Sequence, residues 1–334
     1  MLTELMTGSQ VWHHQAEALF NVSSSLRRVC WELWDPALRL EDEQTGITLM
    51  DCFQPQLAQF QMKSFQKMVA NMRPTEDDPE YWIEDKLDGE RMQLHMTRDD
   101  DTPGGMRFGF WSRKGKDYTY LYGSGFDDEN GSITRHLRNA FDDKVDSIIL
   151  DGEMITWDPE ADHIVAFGTL KSAVKLEQQN PFEATAHRPL FRVFDVLFLN
   201  GSPLAQYTLR DRRKALDKVV KDVYRRFEKH PYWKATKVEE IEPRLKKVIE
   251  EGSEGLVLKN PRSSYKLNSR NDDWMKVKPE YMEEFGEALD CIVIGGYYGS
   301  GHRGGNLSSF LCGLRVDADR RAAGGMYLFS DQIP

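Results

Sequence analysis

The sequence predicts an α+β protein in three segments, and three observations predict it. Residues 1–53 carry apolar positions at helical spacing; residues 54–286 mix strand-like alternation with capped helices; from residue 287 an all-β texture surrounds a glycine-rich loop. At 334 residues the chain is long enough for two or three domains. A hydrophobic fraction of 40% with 11% aromatics can build their cores, and no run of about 18 apolar residues exists to span a bilayer. The start, Met1-Leu2-Thr3-Glu4, lacks the basic and apolar regions of a secretory signal, so no leader is expected. The four cysteines, at positions 30, 52, 291 and 312, form no C-x-x-C pair and read as reduced core residues of an intracellular protein, not as a disulfide frame or zinc site. The net charge of −10 argues mildly against a nucleic-acid partner, but a local basic surface can coexist with it. Composition leaves the partner open.

In the first segment Ser24 or Ser25 can cap a helix whose Leu26, Val29, Cys30, Leu33 and Trp34 share a face, and Pro36 stops it. In the second, Met92, Leu94 and Met96 alternate with Arg91, Gln93 and His95 as a half-buried strand should. Met106, Phe108 and Phe110 suit its antiparallel partner, and the dense apolar runs at 148–150, 191–199 and 255–258 suit central strands. Thr208 with Asp211 can cap a helix burying Leu209, Leu216, Val219, Val220, Val223 and Phe227, and another helix should run from Glu240 to a stop at Gly252. The polar stretch 175–187 reads as a surface loop. In the third segment a strand at 290–294, a loop at 295–305 and a strand at 310–316 are expected. Within that loop, Gly299-Ser300-Gly301-His302-Arg303-Gly304 spells the dinucleotide fingerprint, but the following residues have no helical period. The fingerprint needs a helix there to receive a pyrophosphate, so no Rossmann site is expected.

Chemistry concentrates in Glu84-Asp85-Lys86-Leu87-Asp88-Gly89-Glu90-Arg91, which puts a possible nucleophile, carboxylates, a chain-reversing glycine and a fixed cation in one turn. A charged hairpin turn would look the same. A free lysine has a pKa of about 10.4, so a nucleophilic Lys86 needs neighbours that favour its neutral form. Lys276 and Lys278 share one face of a strand and are candidates for that role, although edge-strand lysines that discourage aggregation have the same pattern. Glu153 and Glu254 adjoin apolar runs, where a divalent metal, a ribose hydroxyl or a salt bridge would offset their burial. Phe194, inside an apolar run, reads as core.

The Lys86 stretch resembles the nucleotidyltransferase signature of the ATP-dependent DNA ligases. Ser112-Arg113-Lys114-Gly115, Leu150-Asp151-Gly152-Glu153-Met154, Phe194-Asp195-Val196-Leu197, Glu254-Gly255-Leu256-Val257-Leu258-Lys259 and Trp274-Met275-Lys276-Val277-Lys278-Pro279 follow in the family's order. With the glycine-rich stretch near residue 300, these motifs are most similar to the end-joining branch of the family, DNA ligase IV. The resemblance implies a nucleotidyltransferase domain of antiparallel, ATP-grasp-like sheets with helices at 54–286. Before it would come the end of a helical DNA-binding domain at 1–53, and after it an incomplete OB-fold β-barrel at 287–334. It implies ATP and Mg²⁺ as cofactors and Lys86 as the residue that takes AMP. Glu84, Asp85, Leu87, Arg91, Glu153, Phe194, Glu254, Lys259, Lys276 and Lys278 would surround the nucleotide; Phe194 would stack on adenine, and Glu153 and Glu254 would hold the metal. It further implies broken DNA ends as substrate, a nuclear location and no membrane contact. A coiled-coil scaffold partner would bind elsewhere in the full-length protein. Phe167 stands where the family has a basic residue and is left out of the site. On the same resemblance the last OB-fold motif lies beyond Pro334, which predicts slow or undetectable self-adenylation and no efficient nick sealing by residues 1–334.

Overall fold

The computed structural model describes residues 13–40, 46–60, 64–165, 168–181, 183–279, 292–299, 304–305, 307–315 and 327–333. The chain divides into two compact units, His13–Met282 and a second that contains the last strands. Among the described residues no helix is long and apolar enough to cross a membrane. Phe167, Asp290, Cys291 and Val316 lie outside the described residues.

The strands of the larger unit are β1 (Leu57–Phe60), β2 (Tyr81–Asp85), β3 (Glu90–Arg98), β4 (Met106–Ser112), β5 (Ser147–Asp158), β6 (His163–Val165), β7 (Arg188–Leu199), β8 (Ser202–Pro203), β9 (Phe227–Lys229), β10 (Trp233–Ala235), β11 (Leu256–Lys259) and β12 (Arg270–Val277). Its helices are α1 (Ala16–Ser23), α2 (Leu26–Glu32), α3 (Phe65–Asn71), α4 (Thr119–Tyr122), α5 (Leu170–Gln179), α6 (Leu209–Val219) and α7 (Ile241–Glu250). One sheet runs β1-β12-β11-β2-β10; the other runs β4-β3-β5-β7-β8, with β6 on β5 and β9 on β7. All pairings are antiparallel except β1 with β12 and β7 with β9. The dense apolar runs form β5, β7 and β11, each with a strand on both sides, as fully apolar strands should.

Two of its apolar clusters hold this arrangement. Met92, Leu94 and Met96 of β3 point into one with Phe108, Phe110, Leu150, Phe191 and Leu216; Phe53, Ile149, Phe194, Leu197, Tyr265 and Trp274 form the other, drawing side chains from both sheets. The second core explains a departure from the sequence reading of β3 as half-buried. Gln93 and His95, on its other face, are also fully buried, with Met50, Phe53 and Trp111 against them. Gln93 Nε2 donates to the Phe53 carbonyl at 2.6 Å, and the Met50 amide donates to His95 Nδ1 at 3.0 Å.

Burial pushes the His95 pKa down to about 3. An unfolded chain would protonate this residue near pH 6.5, so its contribution to stability is full above that pH and is lost as pH falls toward the folded value. Between pH 7 and pH 5 it should cost about 2 kcal/mol. Urea titrations at the two pH values check this: in His95→Gln, which keeps an acceptor and does not titrate, that share of the pH dependence should vanish.

Local chemistry sets the helix ends. The Ser25 hydroxyl accepts from the Arg28 amide and starts α2, while Ser24 takes a left-handed conformation (φ 50°) and ends α1. The expected apolar face of α2 shrinks to Val29 and Leu33; Cys30 is exposed, and Trp34 is 70% exposed because the helix has ended. The Thr208 hydroxyl accepts from the Asp211 amide and starts α6. That helix stops at Val219, earlier than its apolar pattern suggests: Val220 is extended and bridges Phe141, and Phe227 belongs to β9. Part of the stretch read as a polar loop is α5, whose Leu170, Ala173, Val174 and Glu177 are buried. Glu177 is polar in sequence but accepts ion pairs from Arg226 and His136 at 2.5 and 2.9 Å, which lets it occupy a core position.

The second unit shows β13 (Ile292–Tyr298), β14 (Leu307–Arg315) and β15 (Tyr327–Ile333) as an antiparallel sheet. The glycine-rich stretch is followed by a strand and not a helix, so the fingerprint lacks its required context. Gly295 and Gly296 fall within β13, where a bulge accommodates them, so the strand runs past the expected start of the loop.

Candidate active site

β2 delivers Lys86 to the gap between the two sheets. Its amide donates to the Gly255 carbonyl at 2.8 Å, and its Nζ donates to the Glu254 carboxylate. The other oxygen of Glu254 accepts from Lys278 Nζ at 2.7 Å. Gly255 can hold this junction because its φ is +138° and an added Cβ would lie 2.2 Å from the Val277 carbonyl. Gly89 also departs from expectation. Its φ is not positive, so it does not serve as a left-handed reversal; a Cβ there would lie 2.4 Å from the Met154 carbonyl, so glycine lets the chain after Lys86 press against β5.

The Lys86 segment forms one wall of a cavity of about 220 Å³. Glu84, Asp85, Lys86, Leu87, Arg91, Glu153, Phe194, Lys259 and Lys276 all line it, so long-range folding gathers most of the residues that the sequence singled out. Glu254 joins through its ion pair with Lys86, and Lys278 through its ion pair with Glu254.

At one end, Glu84 and Lys259 make a buried ion pair at 2.6 Å. Lys259 Nζ lies 4.4 Å from the centroid of the Phe194 ring and 4.1 Å from that of Trp274. The Arg91 guanidinium sits 4.6 Å from the Phe194 centroid. Its Nε and Nη2 grip both oxygens of buried Asp151 at 2.6 Å, and Asp151 also accepts from the Tyr265 hydroxyl at 2.6 Å. The Asp85 carboxylate is held by Arg244 at 2.9 and 3.0 Å. Leu87 packs against Ile155, Trp157 and Leu190.

Toward the other end the charge becomes strongly positive. Lys276, Arg113 and Arg270 line the cavity beside Lys86. Burial, then the neighbouring cations Arg270, Lys86 and Lys278, lower the Lys276 pKa. Burial also lowers that of Arg113, with Arg270 and Arg91 adding to it. Cations that destabilise one another in a partly buried cleft prepare it for an anion. Glu153 faces Arg91 across the β3–β5 register, and burial pushes its carboxyl up to about 7 against the opposing pull of Arg91 and Lys86. Among the described residues no group of three or more His, Cys, Asp or Glu is placed to hold a metal. A cation here would rest on one or two carboxylates and complete its shell with phosphates and water, which is how Mg²⁺ is commonly held. Glu153, at the cavity wall, could supply such a carboxylate, whereas Glu254 could do so only by giving up an oxygen now held by Lys86 or Lys278.

Sequence reasoning did not select Arg113, His230, Arg270 or Trp274, which also line the cavity. Arg113 and Trp274 stand inside motifs already noted and could have been found there. His230 carries no local signal, because its position beside the site is set by a 2.7 Å bond from its amide to the Val193 carbonyl.

Comparison with known proteins bears on this geometry. The family described as ATP dependent DNA ligase domain matches residues 55–278. Among curated proteins, DNA ligase 4 of Aspergillus fumigatus is 69% identical over 314 residues, covering 94% of this chain and 32% of that protein. DNA ligase 4 of Yarrowia lipolytica is 47% identical over 316 residues, covering 92% of this chain and 32% of its own length. The chain thus spans about a third of the length of the curated relatives it matches. Among solved structures, a chain designated Pmar-Lig_PreS3 superposes with a TM-score of 0.50 at 18% identity, covering 87% of this chain and 61% of that one. The ATP-dependent DNA ligase from bacteriophage T7, in complex with ATP, gives a TM-score of 0.46 at 17% identity, covering 83% and 80%.

Proposed function

We propose, from the premise that the chain belongs to the ATP-dependent DNA ligase family, that Lys86 is the nucleophile of an adenylyl transfer that serves the sealing of DNA breaks. The observation that carries this reading is the convergence of Lys86, an aromatic pair and a set of cations on one cleft. The base would lie against Phe194 and Trp274, with Glu84, Asp85, Leu87 and Lys259 around it. Arg91, fixed by Asp151, would face the ribose. The triphosphate would reach toward Lys86, Lys276 and Lys278, where the cation density is greatest.

The Lys86 amine forms a bond to the α-phosphorus of ATP, and the bond to the departing pyrophosphate breaks. AMP then passes from lysine to the 5′-phosphate at a DNA break. The 3′-hydroxyl attacks that activated phosphate, AMP leaves, and the backbone is closed. Each step is a displacement at phosphorus, so positioning and charge neutralisation do most of the work. Glu153 and Glu254 are the residues that would hold Mg²⁺, which when bound neutralises phosphate charge. On the motif resemblance to DNA ligase IV, and beside relatives named DNA ligase 4, we further propose broken duplex ends as substrate, end joining as the process, a coiled-coil scaffold protein as partner of the full-length molecule and the nucleus as location.

Incubation with α-labelled ATP and Mg²⁺ tests this reading: label should enter the chain, slowly in residues 1–334 alone, in a form released by acid and stable to base. Glu153→Gln and Glu254→Gln should each slow incorporation by about 10- to 100-fold, and added Mg²⁺ should partly restore at least one of them. Rates that stay unchanged at limiting Mg²⁺ would leave both acids as salt-bridge partners only.

A further inference from the structure

Three hydrogen bonds set the direction of the Arg91 guanidinium. Its Nε and Nη2 donate to the two oxygens of Asp151, and Nη2 donates also to the Gln56 carbonyl at 3.1 Å. A guanidinium has five donors, so these bonds leave the two of Nη1 for a ligand. Both acceptors are held in turn by one group. The Tyr265 hydroxyl donates to Asp151 Oδ2 at 2.6 Å and accepts from the Gln56 amide at 3.0 Å. Tyr265 is 3% exposed and stands behind the cleft, not in its lining. Burial, then the charge of Asp151, holds its pKa well above the ordinary phenol value, so it keeps the proton it donates. The ring is fixed separately: it lies edge-on to Phe53 and Trp274 at 6.3 and 5.8 Å, and the Tyr265 amide donates to the Ala205 carbonyl at 2.8 Å. A phenylalanine would serve that packing equally well, so the hydroxyl is the part that reaches the acceptors of Arg91.

We propose that Tyr265 is a positioning residue for adenylyl transfer, whose hydroxyl aims the Arg91 guanidinium by holding both groups that accept from it. The assignment rests on the adenylyl-transfer reading, which puts Arg91 at the ribose. Without the hydroxyl, the Asp151 carboxylate keeps its charge but loses a bond that fixes its plane, and the Gln56 amide loses its acceptor at the same point. Arg91 then keeps its ion pair and loses its aim. A misplacement of about 1 Å is enough to forfeit much of what such a contact contributes.

Equilibrium binding of ATP without Mg²⁺ can be compared on the unsubstituted chain, Tyr265→Phe, Arg91→Lys and the double variant. Arg91→Lys preserves a cation beside Asp151 but removes the planar fork. Tyr265→Phe should weaken ATP binding by about five- to tenfold and Arg91→Lys by at least as much, whereas adding Tyr265→Phe to Arg91→Lys should change affinity by less than about twofold. Either single variant would lose stability whatever the hydroxyl does for the site, so the failure of the two losses to multiply is the deciding readout. Losses that multiply, or an unchanged affinity in folded Tyr265→Phe, would overturn the assignment while sparing the adenylyl-transfer reading. Failure of the unsubstituted chain to bind ATP would overturn both. If Tyr265→Phe does not fold, 3-fluorotyrosine incorporated at position 265 decides: it keeps the ring and the hydroxyl and makes the hydroxyl more acidic, so the Arg91 Nε–H resonance should shift. An unmoved resonance would refute the route through Asp151.

Discussion

Asp195→Ala should lower the stability of the larger unit by about 3–5 kcal/mol, a large fraction of what a domain has. Asp195 is fully buried, and its two oxygens accept from Arg212 Nε and Nη2 at 2.7 and 2.8 Å. Arg212 is equally buried and donates further to the carbonyls of Tyr207 and Ser263. Removing the carboxylate leaves a guanidinium, which cannot deprotonate, without its counter-ion in the interior. The pair also ties α6 to the strand that presents Phe194, so the damage should reach the cleft. Urea unfolding measures the loss. Replacing both residues, as Asp195→Leu with Arg212→Leu, should recover much of it, because no unpaired charge remains. A loss below about 1 kcal/mol for Asp195→Ala would contradict the packing described here.

Lys86→Arg should abolish covalent labelling, with residual incorporation below about one part in 10³ of the unsubstituted chain under equal incubation. A guanidinium keeps the charge and can still pair with Glu254, but it has no accessible neutral form to attack phosphorus. ATP affinity should therefore change by less than about tenfold, because the base and phosphate contacts remain. Labelling that persists in this variant would move the nucleophile elsewhere.

The sequence made the fold legible where burial is two-sided and local. The apolar runs of β5, β7 and β11 suited central strands, and Ser24 or Ser25 and Thr208 offered side chains to cap a first turn, which Ser25 and Thr208 do. It was less legible where a distant segment changed the meaning of a residue. Glu177 looks solvent-facing until Arg226 and His136 arrive from elsewhere in the chain, and the polar face of β3 is buried with Met50, Phe53 and Trp111 against it. The site divides in the same way. Lys86, Glu153, Phe194, Glu254 and Lys276 stand in short motifs that carry the family resemblance, whereas Arg270 reaches the cavity through strand pairing and His230 through a backbone bond to Val193, neither of which a local pattern encodes. Gly89 could be recognised as necessary from its motif, but the reason for it, the approach of Met154, exists only in three dimensions.

The central claim is that one cleft orients ATP toward Lys86, and a crystal structure of the chain with ATP in the absence of Mg²⁺ tests it most directly. The account predicts adenine against Phe194 and Trp274, with the α-phosphorus within about 3–3.5 Å of Lys86 Nζ. Nucleotide bound outside this cleft, or bound in it with its phosphates directed away from Lys86, would contradict the account.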